Sequence, residues 1–272
     1  FVERIDDWAP TGNSLSIYNL PDTVYTVDHN FKIIHAERVI PSSIPKIRLN
    51  NVSYSGIKRA YTCNSDSALF YNYYNDTIYR VKENGLSPRW IIDLGEYKIP
   101  NEISLTRQNE LFDELMMSVH KTRNSVDRKA ALKSYLDNCE LTRLTKGKKW
   151  INAVYDTDHY IFIIWNENIV SPVLRDMEDQ AYPQIAYYDK RTGETVAVKG
   201  RGFIDDIHHK ETFFPRFGVY DNQLFAYFWP YELHEYIEEK QAADNKVDQV
   251  LLDLSGKVDD EDNPIFMIAH LK

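Results

Sequence analysis

Apolar and polar residues alternate in short runs along much of the chain, and turn-forming residues separate the runs. Alternation with a period of two is typical of β-strands that bury one face. The runs group into about four units, which indicates a sandwich, a barrel or a propeller. The predicted strands are 1–5, 14–20, 23–27 and 31–40; then 57–62, 68–73, 77–82 and 89–93; then 149–155, 160–165, 184–188 and 195–199; and finally 217–220, 224–228 and 265–271. We therefore predict an all-β fold.

Turn residues and one internal similarity support this division. The sequence DTVYTV begins at Asp22 and DTIYRV begins at Asp76, so an Asp-Thr turn opens a similar strand in two units. Residues 190–193 (KRTG) predict a hairpin turn, because Gly193 can adopt the positive φ that such turns need. The polar residues 156–159 fall between two predicted strands, and we interpret them as another hairpin turn.

Two segments have helical instead of strand periodicity. Within 104–137, Leu111, Leu115 and Val119 lie on one face of a predicted helix. The segment 230–256 has a similar apolar stripe, bounded by a proline and a glycine that suit the start and the end of a helix. We interpret both segments as helical insertions that pack against the sheets.

Charge and cysteine content exclude several classes of protein. The chain has 32 Lys and Arg against 41 Asp and Glu, a formal net charge of −9, which argues against a nucleic-acid partner. Cys63 and Cys139 are too few and too far apart for a disulfide framework or a zinc cluster. The acidic run 259–262 lacks the ligand spacing and glycine of a calcium loop, so we interpret it as a solvated turn. We predict no metal and no cofactor.

Four motifs carry a resemblance to a known family. They are YNYYNDTIY at 71–79; WIIDLG at 90–95 with KIP at 98–100; FIDDI at 203–207 with Phe214-Pro215 after it; and EDNP at 261–264 with the ending at 271–272. In order and spacing they resemble the six-bladed β-propeller proteins of unknown function found as cell-envelope lipoproteins in Gram-negative gut anaerobes. The resemblance implies a propeller of four-stranded antiparallel blades, about four visible here against six in the family, with helical insertions.

The resemblance also implies an arrangement and a location. Members of that family carry a signal peptide, a lipidated cysteine and two further blades before the matched region, none of which is visible here. We therefore expect 1–272 to be a single propeller domain or the C-terminal part of one. We expect it to be periplasmic or outer-membrane-associated, attached to a membrane only through a lipid anchor that this chain does not carry.

The candidate ligand-binding residues form one polar segment with nearby aromatic residues. They are Asp205, Asp206, His208, His209, Phe213 and Trp150. Carboxylates and imidazoles are possible metal ligands, but adjacent residues on a strand point to opposite faces, so at most two of the four polar ones converge easily. We interpret the segment as a polar loop between blades, and a variant of this interpretation places it at the mouth of the central channel.

Motifs for nucleophilic catalysis and for phosphate binding are absent from the sequence. There is no Gly-x-Ser-x-Gly elbow and no glycine-rich phosphate loop. The sequence therefore favours a non-enzymatic binding or scaffolding module whose partner is an envelope protein, a peptide or a glycan. The alternative is a propeller hydrolase or lyase that acts on glycans with acids and histidines at the channel mouth. A third hypothesis is an architectural subunit whose helical insertions dock onto a neighbour.

Overall fold

The computed structural model of the chain describes most of the strands and the C-terminal helices. The described residues are 7–11, 14–19, 23–39, 61–63, 68–71, 76–100, 134, 137, 140–167, 184–199, 202–204, 213, 215, 219–220, 222–243 and 245–271.

These residues form strands arranged in four antiparallel sheets. The strands are β1 (Asp7–Thr11), β2 (Ser14–Asn19), β3 (Thr23–Val27), β4 (Ile33–Arg38), β5 (Tyr61–Cys63), β6 (Ala68–Phe70), β7 (Thr77–Lys82), β8 (Gly85–Ile91), β9 (Lys149–Asp156), β10 (Tyr160–Glu167), β11 (Gln184–Asp189), β12 (Glu194–Ala197), β13 (Val219–Tyr220), β14 (Gln223–Phe228) and β15 (Ile265–His270). Sheet 1 has the order β1-β2-β3-β4, sheet 2 β5-β6-β7-β8, sheet 3 β12-β11-β10-β9 and sheet 4 β13-β14-β15. Each sheet is therefore a meander in which consecutive strands are neighbours.

The described helices are few. They are α1 (Glu140–Thr145), α2 (Pro230–Ala242) and α3 (Gln249–Ser255), with a 3₁₀ turn at Gly95–Tyr97. The backbone is also helical at Ser134 and Asp137, the two described residues of the predicted insertion 104–137. The predicted all-β class is confirmed, because antiparallel sheets make up most of the described structure. The arrangement of these sheets around a propeller axis stays a prediction.

Two prolines explain where strand prediction failed. The strand predicted at 89–93 is β8, which begins at Gly85 and contains Pro88. The first described strand is β1, which contains Pro10 and lies between the strands predicted at 1–5 and 14–20; the prediction for 1–5 falls outside the described residues. Proline cannot donate a hydrogen bond to a neighbouring strand, but an edge strand tolerates it, and both β1 and β8 lie at a sheet edge. A register shift between Ile78 and Tyr79, opposite β8, further relaxes the pairing there.

The chain divides into two compact units. Unit 1 comprises Phe1–Tyr155 and Phe162–Pro183, and unit 2 comprises Asp156–Ile161 and Gln184–Lys272. The predicted single domain over 1–272 stays a prediction.

In unit 1, sheets 1 and 2 pack against each other through an apolar core. Its buried members are Val24, Val39, Ala68, Phe70 and Val81, and Tyr79 and Leu86 pack against them. Alternation places Tyr79 and Val81 on one face of β7, and Val24 is a buried residue of β3, so this part of the core follows from the sequence pattern.

One polar contact joins the same two sheets. The Glu37 carboxylate on β4 accepts a hydrogen bond from the Leu86 backbone N–H on β8 at 2.9 Å. The neighbouring Gly85 has a φ of +123°, and a Cβ there would lie 2.7 Å from the His35 Nε2 atom and 3.0 Å from the Glu37 Oε2 atom. The positive φ favours glycine, and a Cβ there would force the His35 and Glu37 side chains to move.

In unit 2, helices α2 and α3 form a second core beside sheet 4. Its buried members are Leu233, Tyr236, Ile237, Val247 and Leu251, and Phe228 and Ile265 pack against them. Asp248 caps α3, since its side chain accepts a hydrogen bond from the Val250 N–H at 2.8 Å. The helical excursion leaves the sheet after Phe228 and returns at Ile265, and these two residues are paired across β14 and β15.

Candidate functional site

Three turns of unit 2 meet in a network of polar contacts. They are the β9–β10 turn, the β11–β12 turn and the β13–β14 turn. We call residues 156–160, 189–191 and 222 the hairpin-end cluster. The β9–β10 and β11–β12 turns lie at the same end of sheet 3, because alternate turns of a meander share one end. The β13–β14 turn belongs to sheet 4 and reaches the other two through side-chain contacts.

The β9–β10 turn is held by its own backbone and one hydroxyl group. The Thr157 N–H donates to the Tyr160 carbonyl at 2.8 Å. The Tyr160 N–H donates to the Thr157 Oγ1 atom at 2.9 Å, and this hydroxyl in turn donates to the Tyr160 carbonyl at 3.1 Å. The predicted hairpin turn at 156–159 is therefore present and closely ordered.

A buried ion pair links this turn to the β11–β12 turn. The Lys190 ammonium donates to the Asp156 carboxylate and to the Thr157 carbonyl. The Asp156 side chain is 2% exposed and the Lys190 side chain is 18% exposed. The Lys190 N–H also donates to the His159 carbonyl at 2.8 Å. A carboxylate this deeply buried needs a partner, and Lys190 supplies it.

Arg191 is oriented by an acid and an aromatic ring. Its Nε and Nη2 atoms donate to the two oxygens of the Asp189 carboxylate at 3.1 and 3.0 Å. Its guanidinium lies 5.0 Å from the centre of the Tyr160 ring and also donates to the Tyr160 hydroxyl. The hydrogen bonds from Arg191 lower the pKa of Asp189 to about 2, so this carboxylate stays ionised at ordinary pH.

Asn222 connects the β13–β14 turn to the same cluster. The Asp158 N–H donates to the Asn222 Oδ1 atom at 2.9 Å, and the Asn222 Nδ2 atom donates to the Asp158 carboxylate at 2.5 Å. Asn222 has a φ of +57°, in the left-handed region that asparagine enters more readily than most residues. This reciprocal pair ties together turns that are 64 residues apart in the chain.

A row of aromatic rings extends from the cluster. The Tyr160 and Tyr187 rings meet edge to face at 5.7 Å, and the Tyr187 and Phe203 rings are 6.4 Å apart. Phe203 pairs with Phe213 in an antiparallel bridge, with N–H to carbonyl distances of 2.8 and 3.2 Å. Phe213 is buried.

The predicted site residues are only partly within the described structure. Trp150 lies in β9, and Phe213 lies in the bridge with Phe203. Asp205, Asp206, His208 and His209 lie outside the described residues, so their role as ligands stays a prediction. By sequence, they occupy the segment whose two ends are the paired Phe203 and Phe213.

The sequence predicted the turns at 156–159 and 190–193, and residues 221–222 fall between the strands predicted at 217–220 and 224–228, but the convergence of the three turns was not predicted. Each was identified as a turn by its polar residues, glycine or asparagine, and none was assigned to a site. The order of strands could have brought together the β9–β10 and β11–β12 turns of sheet 3, but the β13–β14 turn belongs to sheet 4 and its approach depends on tertiary packing. The contribution of Lys190 and Arg191 had no local signal of its own.

The cluster combines paired charges with a few exposed polar groups. Its acids and bases are largely paired with each other, and its exposed groups, Asp158, His159 and Arg191, stand on a framework of hydrogen bonds. A general acid or base works best when its pKa lies near the operating pH, and Asp189 is far from that condition. Within the part of the chain that the structure describes, no group of three or more His, Cys, Asp or Glu side chains is arranged to hold a metal ion.

Comparison with known proteins gives a family without a known function. A family model described as a domain of unknown function (DUF4934) matches residues 5–270. Among solved structures, the chain is similar to the crystal structure of a "putative exported protein" from Bacteroides fragilis, at 12% identity and a TM-score of 0.47, over 98% of this chain and 77% of that chain. Among curated proteins, none matches this chain. None of the helices within the described ranges is long and apolar enough to cross a membrane.

Proposed function

This chain belongs to the DUF4934 family of unknown function, and on that premise we propose that it is a non-enzymatic binding or scaffolding module of the bacterial cell envelope. Its ligand is an envelope protein, a peptide or a glycan, and the hairpin-end cluster is the surface that contacts it. This surface lies in unit 2.

One observation carries the proposal, the joining of three turns by direct polar contacts. Binding surfaces usually lie on loops that a rigid scaffold positions. In the cluster, Lys190 and Asn222 tie loops from different hairpins together, so the geometry of the exposed groups is set before a ligand arrives. Preorganisation of this kind reduces the entropic cost of binding.

The chemistry of the exposed groups favours a polar ligand with apolar faces. Asp158 and His159 supply an acceptor and an imidazole, and Arg191 supplies donors beside the Tyr160 ring. Aromatic rings next to hydrogen-bonding groups recognise both sugar rings and peptide side chains, because each ligand class has apolar and polar faces.

The fold that we propose for the whole domain is a β-propeller. Two features support it: every described sheet is a meander of consecutive strands, and sheets 1 and 2 share an apolar core in unit 1. In a propeller, turns that follow alternate strands gather on one face of the ring, where ligands bind. An experimental structure in which the sheets were paired as a single two-layer sandwich would contradict this part of the proposal.

The location in the envelope rests on the resemblance of the four motifs to envelope lipoproteins. Fractionation of a bacterium that produces the protein from its own gene tests it. We expect the protein in the periplasmic or outer-membrane fraction, and recovery in the cytoplasm would overturn the location.

Site-specific cross-linking tests the binding surface. A photo-reactive benzoylphenylalanine replaces His159 in the cluster, and in the control protein it replaces Glu238, an exposed residue of α2. Both proteins are exposed to envelope extract, and the unsubstituted protein is probed in parallel on a glycan array. We expect either a defined adduct at position 159 that is absent at position 238, or binding to a defined class of glycan.

The same ligand is then tested against Arg191→Ala and the control Glu238→Ala. Loss of the contacts of Arg191 should weaken binding by at least about tenfold, which corresponds to about 1.4 kcal/mol, with no effect in the control. Equal binding by both variants would reject the cluster as the ligand surface. Sustained hydrolysis of an array glycan by the purified protein would favour the hydrolase or lyase alternative.

That alternative depends on Asp205, Asp206, His208 and His209, which lie outside the described residues, and it stays a hypothesis. Measurement of bound divalent metal in the protein and in an Asp206→Ala, His208→Ala variant addresses it directly. Metal that is present in stoichiometric amount and lost in the variant would support the alternative.

A further inference from the structure

The His234 ring in unit 2 lies between two hydrogen-bond acceptors. Its Nδ1 atom is 2.5 Å from an Asp260 carboxylate oxygen, and its Nε2 atom is 3.3 Å from the Ser255 carbonyl oxygen. His234 lies on α2, Ser255 is the last residue of α3, and Asp260 lies in the turn that follows. One side chain therefore bridges a helix and the segment that leaves the next helix.

The two acceptors specify the protonation state of the ring. A neutral imidazole has one N–H donor, whereas an imidazolium ion has two. Neither the carboxylate nor the carbonyl can donate a hydrogen, so both contacts are made together only when His234 is charged. Loss of one proton leaves a nitrogen lone pair directed at one of the two oxygens.

The charged surroundings favour the imidazolium ion. The hydrogen bond to Asp260 is the largest cause that raises the pKa of His234, and Asp259 adds a second negative charge from the same turn. Ser255 contributes a backbone carbonyl at the C-terminus of α3, where the helix dipole also favours a cation. On α2 itself, Glu238 lies one helical turn away and Glu235 is the adjacent residue.

The hydrogen bonds of His234 lie within the helical segment that connects β14 to β15 of sheet 4. The chain leaves β14 at Phe228, forms α2 and α3, and returns to β15 at Ile265. The packing of the helices is apolar, but residues 256–262 of the returning segment are exposed or half-buried. Few apolar contacts hold this segment, so polar contacts decide how well it is ordered.

We propose that His234 is a proton-operated latch, which holds the turn 256–262 against α2 most firmly when the ring is charged. The neutral ring keeps only one of the two hydrogen bonds and loses its ionic attraction to Asp260, so the turn is held less firmly. The acidic run 259–262 is then more than a solvated turn, because Asp260 is the acceptor of the latch. Asp262 supports this geometry, since its side chain accepts a hydrogen bond from the Asp259 N–H at 2.9 Å.

The direction of the pH dependence follows from the raised pKa. A group whose pKa is higher in the folded state than in the unfolded state stabilises the fold at a pH below the unfolded value, here 6.5. This contribution is lost as the pH rises through the folded value. The latch is therefore closed below the ordinary histidine pKa of 6.5 and opens as the pH rises through the raised pKa of His234.

Two measurements on the whole chain test the latch. The first is an NMR titration of the His234 ring, and the second is hydrogen exchange of residues 256–262 at about pH 5.5 and about pH 8.5, corrected for the intrinsic effect of pH on exchange. The test variant is Asp260→Asn. The matched control is Glu261→Gln, which removes the same charge from the adjacent exposed residue. Since the Asp260 side chain is 64% exposed, we expect its replacement to leave the fold intact.

We expect His234 in the unaltered chain to titrate above its ordinary range and residues 256–262 to lose protection as it does so. Asp260→Asn should shift the titration to lower pH and remove the pH dependence of protection, whereas Glu261→Gln should retain both. The latch proposal is overturned if the hydrogen-exchange protection of residues 256–262 is independent of pH. It is also overturned if the two variants shift the titration equally, because the effect would then belong to net charge alone.

Discussion

The interface between sheets 1 and 2 and the hairpin-end cluster are held by opposite kinds of interaction. In unit 1, Val24, Phe70 and Val81 pack in an apolar core with one polar contact from Glu37. In unit 2, the buried Lys190–Asp156 pair and the Asn222–Asp158 pair connect turns of different hairpins. Apolar contacts tolerate small shifts, whereas hydrogen bonds need defined distances and angles. The first region therefore stabilises the fold and the second sets the geometry of a surface.

The largest expected effect lies in the apolar region. Phe70 is fully buried, so Phe70→Ala should lower the free energy of unfolding by about 3–5 kcal/mol through lost transfer energy and a cavity. Denaturant unfolding measures this loss. Ile91→Ala, at a residue of sheet 2 that is 75% exposed, should cost about 0.5 kcal/mol or less. Similar costs for the two variants would show that the sheet interface does not provide the core of unit 1.

A substitution in the hairpin-end cluster should lower the free energy of unfolding almost as much. Here a second substitution should restore part of the loss. Lys190→Ala leaves the Asp156 carboxylate buried without its cation and should cost about 3 kcal/mol, at the lower end for a buried pair because Lys190 is partly exposed. The double variant Asp156→Asn, Lys190→Ala removes the uncompensated charge and should be more stable than Lys190→Ala. A double variant no more stable than the single one would show that packing, not charge, holds this turn.

A smaller effect is expected where the backbone of β8 approaches β4. Gly85→Ala combines an unfavourable φ with a Cβ 2.7 Å from the His35 ring, and should destabilise the chain by about 1–3 kcal/mol. Gly256→Ala is the matched control, because its φ is −69° and a Cβ there is 3.6 Å from its nearest neighbour. Thermal unfolding compares the two variants, and a neutral Gly85→Ala would show that the His35 and Glu37 side chains move aside and that the positive φ is not strained.

The smallest effect concerns an exposed pair of the hairpin-end cluster. Arg191→Ala should raise the pKa of Asp189 from about 2 toward its ordinary value, which a carboxyl NMR titration measures. Because the folded pKa is lowered, the pair stabilises the fold above the unfolded value of 3.8, and this contribution is lost as the pH falls toward 2. Resistance to acid should decrease slightly in the variant. An unchanged titration of Asp189 would show that the hydrogen bonds between Arg191 and Asp189 do not form in solution.

Local periodicity explains which strands were predicted. The strands at Thr23–Val27 and Thr77–Lys82 have the predicted bounds, because alternation and an Asp-Thr turn specify them within a few residues. In β8, Pro88 and the adjacent bulge interrupt the alternation. The predicted strand therefore began at residue 89, four residues after the observed start at Gly85. Whether a proline lies at an edge depends on the neighbouring strands, which no local window contains.

The sequence by itself determined the all-β class, most strand positions and the polar character of the turns, because each depends on residues close together in the chain. Only the tertiary structure decided that Asp158 meets Asn222, that Lys190 neutralises Asp156, and that His234 lies between Asp260 and Ser255. These contacts join segments separated by 21 to 64 residues. Their geometry depends on how sheets and helices pack, and the conformational preferences of residues close together in the chain do not determine that packing.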